Sequence, residues 1–407
     1  MSKVDHLPRL KIAVLIKRFL RTGGAEKYAM EVVRRLAVAH EVHVFAHEWI
    51  FDGPEPLTFH KIPRVCHKPA WMNQLFFSYF CRRAVGDGFD VVHSFEKVPT
   101  FDVMTVQSPC FKSPHLKELG RWQQRLDWVR TALSPRKLAW RWLEARQFGD
   151  ERARVIIAVA EKVKQNVQAC YGLPDEHFQL AYTGVDVSAI EWVYSPQELQ
   201  DIRAKLGLSA DDLVLLFVGT EFKRKGLDAL LAGLALLPRG TCKLLIAGGG
   251  GGRLDYYKQL TDKMHLGSEV RFLGLVPDIE RMYPIADLYV LPTLADPCPL
   301  APLEAMAAGV ATIMSAAEYN GSAELIRNAE ALLLSDPRNP QAIADALMSL
   351  ADRRARQELA EKGRALVRQF TWDKTAEETL SAYRAVLRRK GVRGRVSLER
   401  PGVSCEV

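Results

Sequence analysis

No apolar run in this chain reaches 18 residues, so no membrane-crossing helix is expected. The opening residues, Met1-Ser2-Lys3-Val4-Asp5-His6-Leu7-Pro8, lack the apolar stretch of a secretory signal. Cysteine is sparse and unpatterned, with seven residues at 66, 81, 110, 170, 242, 298 and 405 and no C-x-x-C pair. An odd, scattered set fits reduced thiols in the cytoplasm and argues against structural zinc or a disulfide framework. No short-period repeat is visible. What is present is a globular mix over 407 residues: 48% apolar, 26% charged and 9% aromatic. That excludes a disordered or collagenous chain, and at roughly 150 residues per domain it implies two or three domains.

The net charge of +8 is unevenly spread. Between Phe111 and Phe148 there are nine Lys/Arg against three Asp/Glu, together with Trp122, Trp128, Trp140 and Trp142. A basic segment rich in tryptophan can sit on anionic lipid, and buried tryptophans on ordinary amphipathic helices are the competing reading. Charge alone points to nucleic acid, with no aromatic-basic binding motif behind it, so no nucleic-acid partner is expected.

Two β/α series succeed one another. Lys11–Ile16 is a short apolar run, followed by a Gly-containing loop, a helical pattern over 25–36 and a strand over 40–45. Asp90–His93, Val103–Val106 and Arg154–Val159 read as further strands, the last followed by a helix over 161–170. The pattern restarts with strands at 213–219, 243–247, 270–274, 288–291 and 311–314 and a helix over 227–237. The fold class is therefore α/β, with two Rossmann-like, doubly wound domains. The expected divisions are 1–187, 188–371, a helix over 372–390 and a loose basic tail over 391–407.

Ligands of open parallel sheets bind outside the carboxyl ends of the strands, and three loops stand there. Thr22-Gly23-Gly24-Ala25-Glu26 precedes a helix, so its glycines allow close backbone approach and the helix start favours an anion. A tight strand-to-helix turn explains it equally well. Phe222-Lys223-Arg224-Lys225-Gly226 places three cations where a phosphate oxygen can be neutralised, or is simply a solvated loop. The third runs from Asp296 through Pro297, Cys298, Pro299, Leu300 and Ala301 to Glu304 and Gly309. Pro302 suits a first helical turn and Gly309 a helix end, which puts Glu304 in that first turn. The N–H groups of Leu300 and Ala301 can face an anion, and the two carboxylates, with seven residues between them, can accept hydrogen bonds from sugar hydroxyls.

In this order the features resemble the family 4 retaining glycosyltransferases of the GT-B architecture, which include enzymes of lipopolysaccharide core synthesis. The resemblance covers about residues 10 to 390. It rests on Gly23-Gly24, Thr183-Gly184-Val185-Asp186, Phe217-Val218-Gly219, Lys225-Gly226, the pair Asp296 and Glu304, Gly321 to Ile326, and Phe370-Thr371-Trp372 at the start of a helix returning to the first domain. It implies a nucleotide-sugar donor on the C-terminal domain and a glycolipid or oligosaccharide acceptor on the N-terminal one. Lys225 would neutralise the donor pyrophosphate and Glu304 would bind the ribose. Asp296, with the backbone of Cys298, Pro299, Leu300 and Ala301, would hold sugar hydroxyls and phosphate, and Gly23 and Gly24 would let the N-terminal loop close. Asp296, Glu304 and Lys225 are thus the expected catalytic set.

No D-x-D occurs in the chain, so the metal ligands usual in the other common glycosyltransferase fold are missing, and a metal-independent enzyme without a cofactor is expected. Cations and helix N-termini can absorb the leaving group's charge. Three positions depart from the family pattern. Asp296 replaces a usual Glu. Thr220 stands where an Arg is common, leaving Arg224 or Lys223 to substitute. Gln107-Ser108 stands where a His-Asp pair is frequent, so no general base is assigned, and Gln107 and His93 are the acceptor-side candidates, with a satisfied histidine at a strand end the favoured reading of His93. A glucose-like or N-acetylhexosamine-like hexose, UDP-linked, is the expected cargo. The expected location is the cytoplasmic face of the inner membrane, held there by 111–148. A nucleotide-sugar epimerase and a non-catalytic binding protein are the alternatives. A dinucleotide-binding dehydrogenase is disfavoured, because Gly248 to Gly252 meets the G-x-G-x-x-G spacing only trivially.

Overall fold

The structure is a computed structural model, and it describes residues 7–21, 23–112, 131, 134–149, 154–190 and 194–391. Strand β1 (Lys11–Leu15) is buried from Ile12 onward, as a strand covered by helices on both faces must be. It belongs to a sheet of β3 (Glu41–Ala46), β5 (Leu57–Lys61), β6 (Val91–Ser94), β7 (Val103–Val106), β8 (Val155–Ala158) and β9 (Phe178–Leu180), while β2 (Arg18–Phe19) and β4 (Glu48–Trp49) pair separately. The order is β5-β3-β1-β6-β7-β8-β9, all parallel, with Val14 opposite Val44 on one side and His93 on the other. A second parallel sheet is built from β10 (Val214–Val218), β11 (Lys243–Ala247), β12 (Val270–Gly274), β13 (Leu288–Leu291), β14 (Ala311–Ser315) and β15 (Leu332–Leu334). Its order is β12-β11-β10-β13-β14-β15. In both sheets the winding reverses beside the first strand, between β1 and β6 and between β10 and β13, and that reversal opens a crevice at the carboxyl ends. The chain is an α/β protein of two doubly wound domains, each around its own apolar core.

Helices flank both sheets, among them α1 (Gly24–Ala37), α2 (Ala70–Val85), α3 (Pro135–Phe148), α4 (Glu161–Tyr171), α5 (Leu227–Ala235), α6 (Leu300–Ala307) and α7 (Trp372–Arg389). Helix α1 buries Tyr28, Ala29, Val32, Val33 and Leu36, the stripe its spacing predicts. Helix α5 stops short of the expected Leu237, because its last turn tightens to Leu236 on Gly233 and Leu237 on Leu234 before Pro238. Helix α7 starts at the Thr371 cap and packs on the N-terminal sheet rather than on the domain that precedes it. Trp372 lies in the N-terminal core edge-on to Tyr28, and the Thr375 hydroxyl donates to the Tyr182 carbonyl at 2.8 Å.

Most of the basic tryptophan segment, including Trp122 and Trp128, lies outside the described residues. Its last part is α3. Glu144 on this helix is fully buried, binds Lys97, and accepts from the Phe111 N–H at 2.6 Å and the Tyr171 hydroxyl at 2.9 Å. On the outer face Leu138 and Trp142 are about half exposed, with the Arg146 guanidinium 5.5 Å from the Trp142 ring. Among the described residues, no helix is long and apolar enough to cross a membrane.

Candidate functional site

The loop after β10 reaches the site because three glycines let backbone segments meet. Gly226 has φ +79° and faces the Pro292 carbonyl so closely that no side chain fits there. Gly248 has φ +136° and lies against the Gly219 carbonyl, while Gly219 itself leaves room for the Lys225 stem. The glycine run after β11 therefore serves close packing of two loops, with Phe222 filling the space beside Gly250. Lys225 is delivered to the carboxylate of Asp296. Arg224 reaches the same carboxylate at 3.3 Å, donates to the Ala295 carbonyl at 2.7 Å and binds Glu221 at 2.6 Å.

Asp296 is 8% exposed and sits in a parallel bridge with Asn320. Its N–H donates to the Tyr319 carbonyl at 2.8 Å, and its own carbonyl accepts from Gly321 at 3.0 Å. Gly321 is required because a Cβ would strike the Pro297 carbonyl. The Ser322 hydroxyl steadies the next turn, donating to the Pro299 carbonyl at 2.9 Å and lying 3.4 Å from the Cys298 sulfur. Burial pushes the Cys298 thiol pKa up, so it is a neutral packing group. Helix α6 begins at Leu300 after Pro299, which offers no side-chain cap. Its first N–H groups thus lack that partner at the edge of the cleft. Glu304 is the fifth residue of α6, so it lies in the second turn, not the first as the proline spacing suggested. The helix starts two residues ahead of Pro302, because proline needs only a free first-turn N–H and is tolerated at its third position.

Glu304 is 5% exposed and fully engaged. Its Oε2 accepts from the buried Tyr283 hydroxyl at 2.7 Å, and its Oε1 accepts from Lys27 Nζ at 2.6 Å. Lys27 belongs to α1 of the other domain and also binds Glu280 at 2.7 Å. Burial works against the Lys27 charge, yet Glu304 and Glu280 outweigh it and hold the lysine pKa above its ordinary value. Gly23 at the start of α1 has φ +102°, and a Cβ placed on Gly24 would lie 3.5 Å from the Leu300 side chain. The two-glycine loop thus faces the start of α6 across the cleft. A second clasp joins the domains at Glu324, which accepts the Glu161 and Lys162 N–H groups at 2.8 and 2.7 Å and so caps α4.

The structure brings together Lys225, Arg224, Asp296, Cys298, Pro299, Leu300, Ala301 and Glu304 on one domain, with Gly23 and Gly24 opposite. His93 does not join them. It is fully buried, bonded at 2.8 Å to both the Tyr383 hydroxyl of α7 and the Thr105 hydroxyl, and stacked on Phe95. Burial drops its pKa to about 3, so the cleft candidate is corrected and the reading of a satisfied strand-end histidine holds: β6 points this side chain into the core beneath α7. Gln107 does line a cavity of the N-terminal domain, and its amide lies 3.4 Å from the Ala25 carbonyl. Sequence reasoning missed Lys27, Glu280 and Tyr283. Only Lys27 left a trace, directly after the Gly23-Gly24-Ala25-Glu26 loop.

Comparison with known proteins assigns the two halves separately. Residues 22–189 match the model of Glycosyltransferase Family 4, and residues 199–366 match that of Glycosyl transferases group 1. An uncharacterized glycosyltransferase, MJ1607, of Methanocaldococcus jannaschii is 29% identical over 58% of this chain, which spans 61% of that relative's length. The lipopolysaccharide glucosyltransferase WaaG of Escherichia coli K12 is 23% identical over 75% of this chain and 80% of its own. A crystal structure of WaaG superposes with a TM-score of 0.77 at 21% identity, covering 91% of this chain and 98% of that one. Anabaena HepE in complex with UDP-glucose superposes with a TM-score of 0.69 at 19% identity, covering 92% and 100%.

Proposed function

We infer the activity from what the chain is, a GT-B protein whose N-terminal domain belongs to Glycosyltransferase Family 4 and whose C-terminal domain belongs to the Glycosyl transferases group 1. It transfers a hexose from a nucleoside diphosphate, UDP by preference, to a cell-envelope glycan acceptor, with retention at the sugar carbon and without a metal. The observation that carries the reading is the convergence of Lys225, Asp296, the uncapped start of α6 and buried Glu304 on one edge of the cleft. In this reading the diphosphate exchanges with Asp296 for Lys225 and Arg224, and the ribose hydroxyls exchange with Lys27 for Glu304. Asp296, released, accepts hydroxyls of the donor sugar. Two cations and the α6 dipole then face the charge that grows on the departing diphosphate. A relative named as a lipopolysaccharide glucosyltransferase and a structural neighbour holding UDP-glucose support the choice of donor and acceptor class. The half-exposed Trp142 and its arginines supply a contact with the anionic inner leaflet.

A thermal-shift screen over UDP-, GDP-, ADP- and TDP-sugars tests the donor. The preferred nucleotide raises the midpoint by mass action, and Glu304→Ala abolishes that rise. A rise that survives Glu304→Ala unchanged would refute the ribose assignment. NMR of the first-formed product reads the anomeric configuration, and inversion there rules out the retaining mechanism. Flotation on vesicles tests the membrane contact: recovery equal on neutral and anionic vesicles, and unchanged by Arg136→Glu with Arg141→Glu, removes it.

A further inference from the structure

Helices α1 and α6 start opposite each other across the cleft, and neither start carries a side-chain cap. Gly24, the first residue of α1, faces Leu300, the first residue of α6. Three residues further along α1, Lys27 reaches Glu304, one turn further along α6. The lysine is fixed in the first turn of its helix, where its N–H donates to the Gly23 carbonyl at 2.9 Å. Its ammonium is 2.6 Å from Glu304 Oε1 and 2.7 Å from Glu280 Oε1, and its side chain is 22% exposed. Burial works against the Glu280 charge, yet Lys27 and then Arg21 outweigh it and hold that pKa below its ordinary value. Glu280 is therefore a charged anchor that the donor set does not use. Like ends of two helix dipoles repel, and both favour an anion between them.

The covalent structure of the donor decides where this ammonium goes when the ribose arrives. Glu304 Oε2 is closed by the buried Tyr283 hydroxyl, so the ribose diol takes Oε1, the oxygen that Lys27 holds. Lys27 is thus displaced by one part of a molecule whose next part is a diphosphate. Only one methylene and one ester oxygen separate the ribose ring from the first phosphorus. The lysine stem is long and flexible, and its ammonium has three donors. It can keep Glu280 on one of them and offer another to a phosphate oxygen. A partly buried ammonium deprived of a partner is costly, so the phosphate is the favoured replacement for Glu304. Lys225 and Arg224 stand on the donor domain itself, beside Asp296. Lys27 comes from the opposite domain, so its charge arrives with closure.

We propose that Lys27 is a third cation on the leaving diphosphate, displaced from Glu304 by the ribose and passed to an oxygen of the phosphate beside it, with Glu280 retained as its anchor. In the transfer step the bond from sugar carbon to diphosphate oxygen breaks, and its electron pair stays on that oxygen. The acceptor hydroxyl oxygen bonds the same carbon, and the hydroxyl proton goes to the departing diphosphate. Lys27 keeps its own proton and shares the growing negative charge. This deepens the reading of the chain as a nucleotide-sugar transferase and rests on it.

The test compares the affinities of the full chain for uridine and for UDP, read by calorimetry and ligand-observed NMR. Both ligands carry the ribose and both displace Lys27, but only UDP carries phosphate. Lys27→Met binds uridine at least as tightly as the wild type, because the diol no longer displaces an ammonium. Its ratio of UDP to uridine affinity falls at least about tenfold, the loss of one charge-assisted hydrogen bond. Lys27→Gln, which keeps a donor without the charge, lowers the ratio in the same direction and decides if the methionine variant fails to fold. In both variants kcat with a UDP-sugar falls about a hundredfold, as for a missing donor to a transition-state anion. A lysine that only clasps the domains would shift uridine and UDP alike and leave the ratio level. A level ratio in the foldable variants, or an undiminished kcat, overturns the inference. UDP binding to the wild type separates the two readings. Its presence beside a level ratio removes the role of Lys27 alone, whereas its absence removes the donor assignment itself and this role with it.

Discussion

His93 illustrates how a single side chain couples proton uptake to the whole fold. Inside the N-terminal core it is held neutral with a pKa of about 3, against about 6.5 in an unfolded chain. A depressed histidine favours folding fully above the unfolded value and progressively less as pH falls toward the folded one. Between pH 7 and 5 this one residue should therefore remove about 2 kcal/mol of stability. Urea unfolding at the two pH values measures the loss, and His93→Gln should flatten the dependence by that amount. A slope unchanged by the substitution would mean that His93 is not the titrating group. The sequence placed this histidine at a strand end and left open whether it faced the cleft. Only the return of α7, which sets Tyr383 over it, decided the matter.

At the scale of elements, the short turn from Gly321 to Leu325 ties one domain to the other. Its Glu324 carboxylate takes the first two N–H groups of α4, a helix whose own N-cap, Ala160, has no side-chain acceptor to offer. Charge-assisted bonds at a helix start are worth about 1.5–3 kcal/mol when partly buried. Glu324→Ala should lower stability by about that much, and it should do so through α4. Hydrogen exchange at the Glu161 and Lys162 amides provides the specific readout, with loss of protection expected there before the neighbouring strands. Exchange unchanged at those amides would show the cap to be idle. The segment 321–326, opened by Gly321, was legible in the sequence only as one feature of the family resemblance. That its acid caps a helix more than 160 residues earlier was not, because a cap depends on which end two separate elements present to each other.

For the molecule as a whole, the Lys27 bridge to Glu304 and Glu280 holds the ligand-free domains together with the same carboxylate assigned to the ribose. Lys27→Met should therefore loosen the ligand-free protein while sparing the site's other contacts. Solution scattering should give a larger radius of gyration for Lys27→Met than for wild type, with UDP drawing the variant back toward the wild-type value. Identical curves for both proteins, with and without UDP, would remove closure from the mechanism. A closed cleft matters chemically because water excluded from the activated sugar cannot hydrolyse it.

Alternating apolar runs, helix stripes and glycine placement follow from local sterics and solvation, so the sequence alone determined two α/β series, the central strands of each and the loops at their carboxyl ends, while the edge strands β5, β9 and β15 went unread. Asp296, Lys225 and Glu304 were legible for the same reason: each sits beside punctuation, a proline or glycine, that marks a strand-to-helix loop. Tertiary structure alone decided which groups face one another across domains. Lys27 meets Glu304 and Tyr283 supports it, because ion pairs and buried hydrogen bonds depend on distances between residues that no local spacing encodes.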